Sequence, residues 1–168
     1  TDKPMVPEQS TVLITGGTGS FGKTMVRHLL SQGYGEIRIF SRDEWKQEEM
    51  RVTMNEPRLK FYVGDVRDAH SVSRAMDNVD LVFHAAALKQ VPSCEFFPMQ
   101  AVQTNILGSY NVVDAAIHSG VRCVVALGTD KAVYPINAMG LTKALMEKTV
   151  ESFARIGHDH GTRVCSVR

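Results

Sequence analysis

The sequence predicts an α/β fold in which a doubly wound parallel sheet is covered by helices on both faces. Short runs of β-branched and other apolar residues alternate along the chain with segments whose apolar residues recur at helical spacing. A glycine-rich turn separates the first such run from the first helical segment. With 168 residues, 43% of them hydrophobic, the chain is long enough for one compact domain with its own core.

The elements follow in order along the chain. The first strand, Thr11 to Thr15, is a β-branched run that ends in two glycines, as buried parallel strands often do. The first helix carries apolar residues at helical spacing from Phe21 to Leu30, and two nearby glycines end it. The later strands are expected at Ile37 to Phe40, Leu59 to Val63, Leu81 to His84, Val121 to Leu127 and from about Arg163 onward. The later helices are expected at Glu44 to Met54, Ala69 to Met76, Ala101 to Ser119 and Met139 to Arg155.

Composition and charge exclude several classes of function. Lysine and arginine number 19 against 18 acidic residues, so the net charge is +1 and we expect neither a nucleic acid nor a membrane as partner. No apolar run approaches the roughly 20 residues that cross a bilayer, and the polar first ten residues are unlike a signal peptide, so we expect a cytoplasmic protein. The cysteines at 94, 123 and 165 are far apart, and we expect neither a disulfide framework nor a metal site.

The turn after the first strand, TGGTGSFG at residues 15–22, predicts a dinucleotide-binding site. A pyrophosphate needs close backbone approach, free N–H groups and the positive end of a helix, and glycines at a strand-to-helix turn supply all three. The alternative is an ordinary tight turn, but the strand and helix around it are the context that the motif requires. We therefore predict a Rossmann-like NAD(P)-binding domain over residues 11–168, with residues 1–10 as a loose segment. The expected contacts in this turn are Gly16, Thr18, Gly19, Ser20, Phe21 and Gly22.

The end of the second strand bears on the choice of cofactor. Ser41 and Arg42 stand where this fold places groups against the adenosine ribose, and a cation there suits a 2′-phosphate. Lys46 adds a second cation, so NADP is favoured. Asp43, one position on, keeps NAD possible, and a solvated surface arginine is the alternative interpretation of Arg42.

Two later strand ends are expected to form the walls of the cofactor site. Asp65 and Val66 follow the third strand and would lie near the adenine. Ala85, Ala86 and Ala87 follow the fourth strand and offer small side chains where the cofactor passes closely. All five are also ordinary residues for the end of a strand.

Five segments together resemble the extended short-chain dehydrogenase/reductase superfamily: TGGTGSFG (15–22), GDVRD (64–68), HAAALKQVP (84–92), TNILGSYNV (104–112) and TDKAVYPINAMGLTK (129–143). Within it, the chain most resembles the inverting UDP-N-acetylglucosamine 4,6-dehydratases of polysaccharide biosynthesis. The resemblance implies NADP-dependent dehydration of a UDP-sugar to a 4-keto-6-deoxy product with inversion at C5. It also implies a homo-oligomer and a C-terminal substrate domain. The chain begins at Thr1 and stops at Arg168 inside a predicted strand, so we expect a fragment without that domain.

The resemblance assigns roles to the segment after the fifth strand. Asp130 and Lys131 form an adjacent acid and base at the carboxyl edge of the sheet, where such sites form, although most Asp-Lys pairs are exposed ion pairs. By resemblance, Lys131 removes the C5 proton and Asp130 assists loss of the C6 hydroxyl. Thr129 matches the residue that hydrogen-bonds the C4 oxygen. Gly128 stands where serine is more common, which we expect to loosen the loop.

Lys143 lies one helical turn after Met139 and on the same face. In the superfamily, the first of these positions is usually a tyrosine that takes the C4 hydroxyl proton, while the lysine binds the nicotinamide ribose. Met139 carries no exchangeable proton, so the acceptor stays open between Lys131, Asp130, Thr129 through water, and Tyr134.

Three further residues are placed near the substrate by resemblance. Lys89 would meet a phosphate or sugar oxygen, with a surface lysine as the alternative. Asn137 would shape the substrate loop, and Asn105 would help to position water near the active lysine. The dehydratase has two rivals: a UDP-sugar 4- or 5-epimerase, which shares the first hydride step, and a non-catalytic NADP sensor, which the missing tyrosine suggests.

Overall fold

A computed structural model describes residues 4–129 and 132–168. Its strands are β1 (Thr11–Thr15), β2 (Glu36–Ser41), β3 (Leu59–Val63), β4 (Leu81–His84), β5 (Cys123–Leu127) and β6 (Arg163–Val167). Its helices are α1 (Ser20–Ser31), α2 (Glu44–Met54), α3 (Ala69–Ala75), α4 (Val91–Phe96), α5 (Pro98–Ala101), α6 (Gly108–His118) and α7 (Ala138–Asp159). A 3-10 turn (Pro7–Gln9) precedes β1, and a π-helical turn (Val102–Leu107) joins α5 to α6.

The strands form one parallel sheet in the order β3-β2-β1-β4-β5-β6. This order confirms the predicted doubly wound Rossmann-like fold. After β3 the chain returns to the middle of the sheet, so β1 has β2 on one side and β4 on the other. In such sheets a crevice opens outside the carboxyl ends of the strands at this reversal, and it is the usual ligand site.

The sheet separates two apolar cores because successive strand residues face opposite sides. Val12 and Ile14 of β1 pack on one face with Val26 of α1 and Met50 of α2. Leu13, between them, faces the other core. That second core contains residues of α3, α6 and α7, among them Val72, Val112 and Met146.

The predicted long helix from Ala101 to Ser119 is helical in the structure but not α-helical throughout. Before it, the backbone leaves the helical region at Phe97, and Pro98 begins the short helix α5. The chain then widens into the π-helical turn before α6 continues. Pattern reasoning missed this because both kinds of turn bury similar apolar residues, whereas a π turn is set by the local hydrogen-bond register.

Smaller differences concern the ends of elements. Strand β5 begins at Cys123, two residues later than predicted, because Gly120 closes α6 with a φ of +71° and the Val121 amide donates to Ala116 O. Helix α7 continues to Asp159, one turn beyond the predicted Arg155. Among the described residues, none of the helices is both long enough and apolar enough to cross a membrane.

Candidate active site

An open cleft of about 700 Å³ lies along the carboxyl edge of the sheet. It occupies the reversal between β1 and β4, where the fold places ligands. Most of the residues predicted to bind a cofactor line it: Gly16, Thr18, Gly19, Ser41, Arg42, Asp43, Lys46, Asp65, Val66, Ala85, Ala86 and Ala87, together with the predicted substrate residue Lys89. The structure therefore brings these residues, which come from four strand ends, to one site.

The glycine turn has the tight backbone packing that its sequence requires. Gly16 has a φ of +66°, and a Cβ there would lie 2.8 Å from the Ala86 backbone nitrogen. A Cβ on Gly22 would overlap the Gly17 carbonyl, so only glycine lets α1 approach the turn. Gly19 is the N-cap of α1 and has no side chain to cover the helix N–H groups. The positive end of α1 is thus available to a phosphate.

Three predicted contacts of this turn, Ser20, Phe21 and Gly22, lie beside the cleft rather than in its lining. The Phe21 ring is partly exposed and packs 6.5 Å from the Phe83 ring, centroid to centroid. Ser20 is the exposed first residue of α1. Their predicted roles in binding a cofactor stay predictions.

The end of β2 presents cations to the cleft. The Arg42 side chain is about half exposed, and its guanidinium lies 3.9 Å from the Asp65 carboxylate. Asp43 is the N-cap of α2: its carboxylate accepts a hydrogen bond from the Lys46 backbone N–H at 3.0 Å and lies 3.7 Å from Lys46 Nζ. Asp43 is therefore held at the start of α2 beside Lys46, while Arg42 is paired with Asp65 only at 3.9 Å and stays about half exposed at the cleft.

Asp65 is held as an anion at the opposite wall. Burial raises the pKa of its carboxyl group, but hydrogen bonds from Arg67 and the charges of Arg67 and Arg42 outweigh burial and lower the pKa overall. The Arg67 guanidinium contacts the Asp65 carboxylate at 2.7 and 3.0 Å. Val66, which follows Asp65, is buried, and the Val66 carbonyl accepts a hydrogen bond from the Asn111 side chain.

A buried hydrogen-bond chain fixes the end of β4, and sequence reasoning did not assign it a role. Ser109 Oγ donates to Asn105 O at 2.7 Å, so its oxygen accepts from His84 Nε2 at 2.8 Å. His84 Nδ1 then accepts from Thr15 Oγ1 at 2.6 Å, and Thr15 Oγ1 accepts the Ala85 N–H. Burial and the nearby charge of Lys143 lower the pKa of His84 to about 3, so the ring is neutral. The chain ties β1, β4 and the π-helical turn together.

Asn105 connects the β4 loop to α7. Its side-chain oxygen accepts the Leu88 N–H at 2.8 Å, while its amide donates to Leu88 O and to Thr142 Oγ1. Since Asn105 is only 1% exposed, these bonds hold the loop that carries Lys89. Lys89 itself is exposed at the cleft.

Lys143 is a buried lysine of α7 whose ammonium group lies at the end of β5. It is 6% exposed, and its Nζ donates to Leu127 O at 2.9 Å. Burial, followed by the positive charge of Lys89, lowers the pKa of Lys143 to about 8, although the Glu147 carboxylate opposes this shift. A lysine in this state can change its protonation near neutral pH.

Glu147, one turn after Lys143 on α7, organises the segment that leaves β5. Its buried carboxylate accepts the Thr129 backbone N–H and pairs with Arg168 at 2.6 Å. A Cβ on Gly128 would overlap this carboxylate. Glycine at 128 makes room for the carboxylate that accepts the Thr129 N–H, and the expectation that Gly128 loosens the loop stays a prediction.

The remaining predicted residues are distributed as follows. Met139 is 4% exposed and packs with Cys94 and Ala101, outside the cleft lining. Asn137 caps α7 by accepting the Gly140 N–H at 2.8 Å, and Tyr134 is 91% exposed. Asp130 and Lys131 lie outside the described residues, so their roles stay predictions.

Comparison with known proteins identifies the family. A family model described as "Polysaccharide biosynthesis protein" matches residues 12–168. The chain belongs to this family. It is 58% identical over 162 residues to a UDP-glucose 4-epimerase of Rickettsia conorii, a match that covers 94% of this chain and 48% of the relative. This family member thus spans about half the length of the curated relatives that it matches.

Solved structures confirm the extended short-chain dehydrogenase/reductase fold. Pen from Bacillus thuringiensis is 37% identical with a TM-score of 0.94, over 98% of this chain and 51% of Pen. DesIV of Streptomyces venezuelae, a dTDP-glucose 4,6-dehydratase with NAD bound, is 25% identical with a TM-score of 0.77, over 86% of this chain and 52% of DesIV. The predicted polysaccharide-biosynthesis resemblance is confirmed at the level of the family, while its relatives include both epimerases and dehydratases.

Proposed function

We propose that this chain is the cofactor-binding part of a nucleotide-sugar-modifying enzyme, and that the enzyme is a UDP-sugar 4-epimerase. The main support is a dinucleotide cradle in a chain 58% identical to a relative named UDP-glucose 4-epimerase. The buried Lys143 lies outside the cleft lining but close enough for the charge of the cleft residue Lys89 to lower its pKa. Relatives so named favour the epimerase over the predicted dehydratase. Retention of a buried lysine argues against a mere sensor, which has no chemical need for it.

The cleft fits a nicotinamide dinucleotide. Gly16 allows the sharp turn and Gly22 lets α1 pack against Gly17, while Gly19 at the N-cap leaves the helix N–H groups uncovered for a pyrophosphate. When bound, such a cofactor supplies a hydride acceptor for sugar C4, and the hydride returns to C4 in epimerisation or to C6 in dehydration. We further propose NADP rather than NAD, because Arg42 and Lys46 present positive charge while the Asp43 carboxylate caps α2.

The protein's own groups would manage the proton and the position of the sugar. As the hydride leaves C4, the C4 hydroxyl proton would pass to Lys143, which is partly neutral because its pKa is about 8, and it would return to the C4 oxygen when the hydride returns. Thr129, fastened by Glu147, would hydrogen-bond that oxygen. Lys89 at the cleft would contact a phosphate of the sugar nucleotide, and Asn137 would support the substrate loop from the start of α7.

A 4,6-dehydratase is the second candidate. The adjacent Asp130 and Lys131 favour it, since elimination needs a base at C5 and an acid at C6, whereas 4-epimerisation needs neither. The likeness to DesIV is consistent with such chemistry. In this reaction Lys131 would take the C5 proton, and Asp130 would protonate the departing C6 hydroxyl so that water leaves.

Proton NMR in D2O separates the two activities. The protein, at its natural length, is incubated with UDP-glucose and, separately, with UDP-N-acetylglucosamine. A change of configuration at C4 with no deuterium bound to any carbon of the sugar supports the epimerase. A 4-keto-6-deoxy product with deuterium at C5 would instead establish the dehydratase, and Lys131→Met should then abolish the C5 exchange. No reaction with either sugar, although cofactor is bound, would contradict both assignments.

We also propose that the protein self-associates. Helices α6 and α7 carry exposed apolar side chains, including Tyr110, Leu141 and Leu145, the last two more than half exposed. Such side chains are stabilised when a partner covers them. Light scattering should give a dimer or a larger assembly, and a monomer at high concentration would contradict this proposal.

A further inference from the structure

Gln47 is a buried polar residue beside the cleft that the sequence patterns did not single out. It is 4% exposed on the inner face of α2. Its side-chain amide nitrogen donates to Ser41 Oγ at 2.9 Å and to Tyr62 O at 2.9 Å, with a longer contact to Ser41 O at 3.3 Å. Burying an amide donor without an acceptor costs free energy, so these hydrogen bonds fix the orientation of the Gln47 side chain.

These bonds determine what the Ser41 hydroxyl can do. A serine hydroxyl has one proton to donate and two lone pairs to accept with. The Gln47 amide occupies one lone pair of Ser41 Oγ. Because the Gln47 N–H group donates to this oxygen, the serine proton points away from the Gln47 amide. Among the residues that the structure describes, no group accepts this proton, and Ser41, although largely buried, lines the cleft, so the proton is left for a ligand there.

We propose that Gln47 is a positioning residue for cofactor specificity: it turns the Ser41 hydroxyl proton toward the cleft, where it donates to the 2′-phosphate of NADP. A phosphate only accepts hydrogen bonds near neutral pH, so it gains from an oriented donor. The 2′-hydroxyl of NAD both donates and accepts and gains less. Arg42 and Lys46, which line the same cleft, would attract the 2′-phosphate by their charge, while the Ser41 hydroxyl would donate an oriented hydrogen bond to it. This inference rests on the proposed preference for NADP.

Dissociation constants for NADP and NAD test the inference without any need for catalysis. Titration calorimetry on the natural-length protein, stripped of cofactor, compares the wild type with Gln47→Met, Ser41→Ala and the double variant. We expect Gln47→Met to weaken NADP binding about tenfold, the order expected for one hydrogen bond to a charged group, with NAD affinity unchanged. Ser41→Ala should do the same, and the double variant should be no weaker than Ser41→Ala, because Gln47 acts through Ser41.

The possible outcomes distinguish this inference from the cofactor assignment. A wild type that binds NAD as tightly as NADP overturns the NADP assignment and this inference with it. A wild type that prefers NADP, together with a Gln47→Met variant that keeps the preference, overturns the inference alone. Equal weakening of both cofactors means a purely structural role and also overturns it. If Gln47→Met does not fold, Ser41→Ala decides: an unchanged preference for NADP in that variant refutes the proposed hydrogen bond.

Discussion

The protonation of Lys143 makes stability depend on pH in a way that one substitution should remove. In the unfolded chain, this lysine keeps its proton up to its ordinary pKa of 10.5, whereas in the folded protein the pKa is about 8. Between these values the unfolded state binds more protons, so folding becomes more favourable as pH rises. At about 1.4 kcal/mol per pKa unit, the shifted pKa lowers the free energy of unfolding by about 3 kcal/mol at pH 7 and by about 2 kcal/mol at pH 9, relative to a lysine with an unshifted pKa.

Lys143→Met tests this effect through the difference in the free energy of unfolding between wild type and variant, compared at two pH values. The substitution also removes the hydrogen bond to Leu127 O, a loss that does not depend on pH. Urea denaturation at pH 7 and pH 9 gives the free energy of unfolding of each protein. We expect the wild type to gain about 1 kcal/mol relative to the variant between these two conditions. Lys148→Met, an exposed lysine on the same helix, controls for the loss of one positive charge.

A constant difference between wild type and Lys143→Met at the two pH values would refute the reasoning. It would mean that Lys143 is solvated or fully paired in the folded protein, and that the lysine has no special proton affinity to offer a substrate. A raised pKa, which requires Glu147 to outweigh burial and Lys89, would also leave the difference constant between pH 7 and pH 9, and it would lower the stability of the wild type only above about pH 10.5.

Three further predictions concern the cleft and the segment after β5. Gly22→Ala should destabilise the fold by about 1–3 kcal/mol and abolish cofactor binding, because its Cβ meets the Gly17 backbone; thermal unfolding and calorimetry check this against Arg27→Ala, a substitution at an exposed position of the same helix. Arg42→Ala should weaken NADP binding at least about tenfold and NAD binding little, and equal losses would contradict the 2′-phosphate assignment. Glu147→Gln should lower the pKa of Lys143 further by removing the opposing negative charge, so the rise in stability should begin at a lower pH. A rise that begins at the same pH as in the wild type would contradict that electrostatic link.

The elements whose patterns are local could be predicted from the sequence. The β1 run and the glycine turn were recognisable because a strand alternates its side chains and because only glycine tolerates the backbone at Gly16. The helix bounds were less predictable, since the break at Phe97 and the π turn around Asn105 depend on how the chain packs on α7.

Sequence by itself determined the fold class, the place of the cleft and most of its lining, because strand ends in a parallel sheet meet at one edge whatever the details of packing. Only the tertiary structure decided which polar groups are already engaged. Asp43 caps a helix, Gln47 orients Ser41, and Glu147 fits against Gly128. The Asp43 cap is local to α2, but the contacts of Gln47 and Glu147 join residues from different elements. Hydrogen bonds act over about 3 Å, a distance between elements that no spacing along the chain encodes.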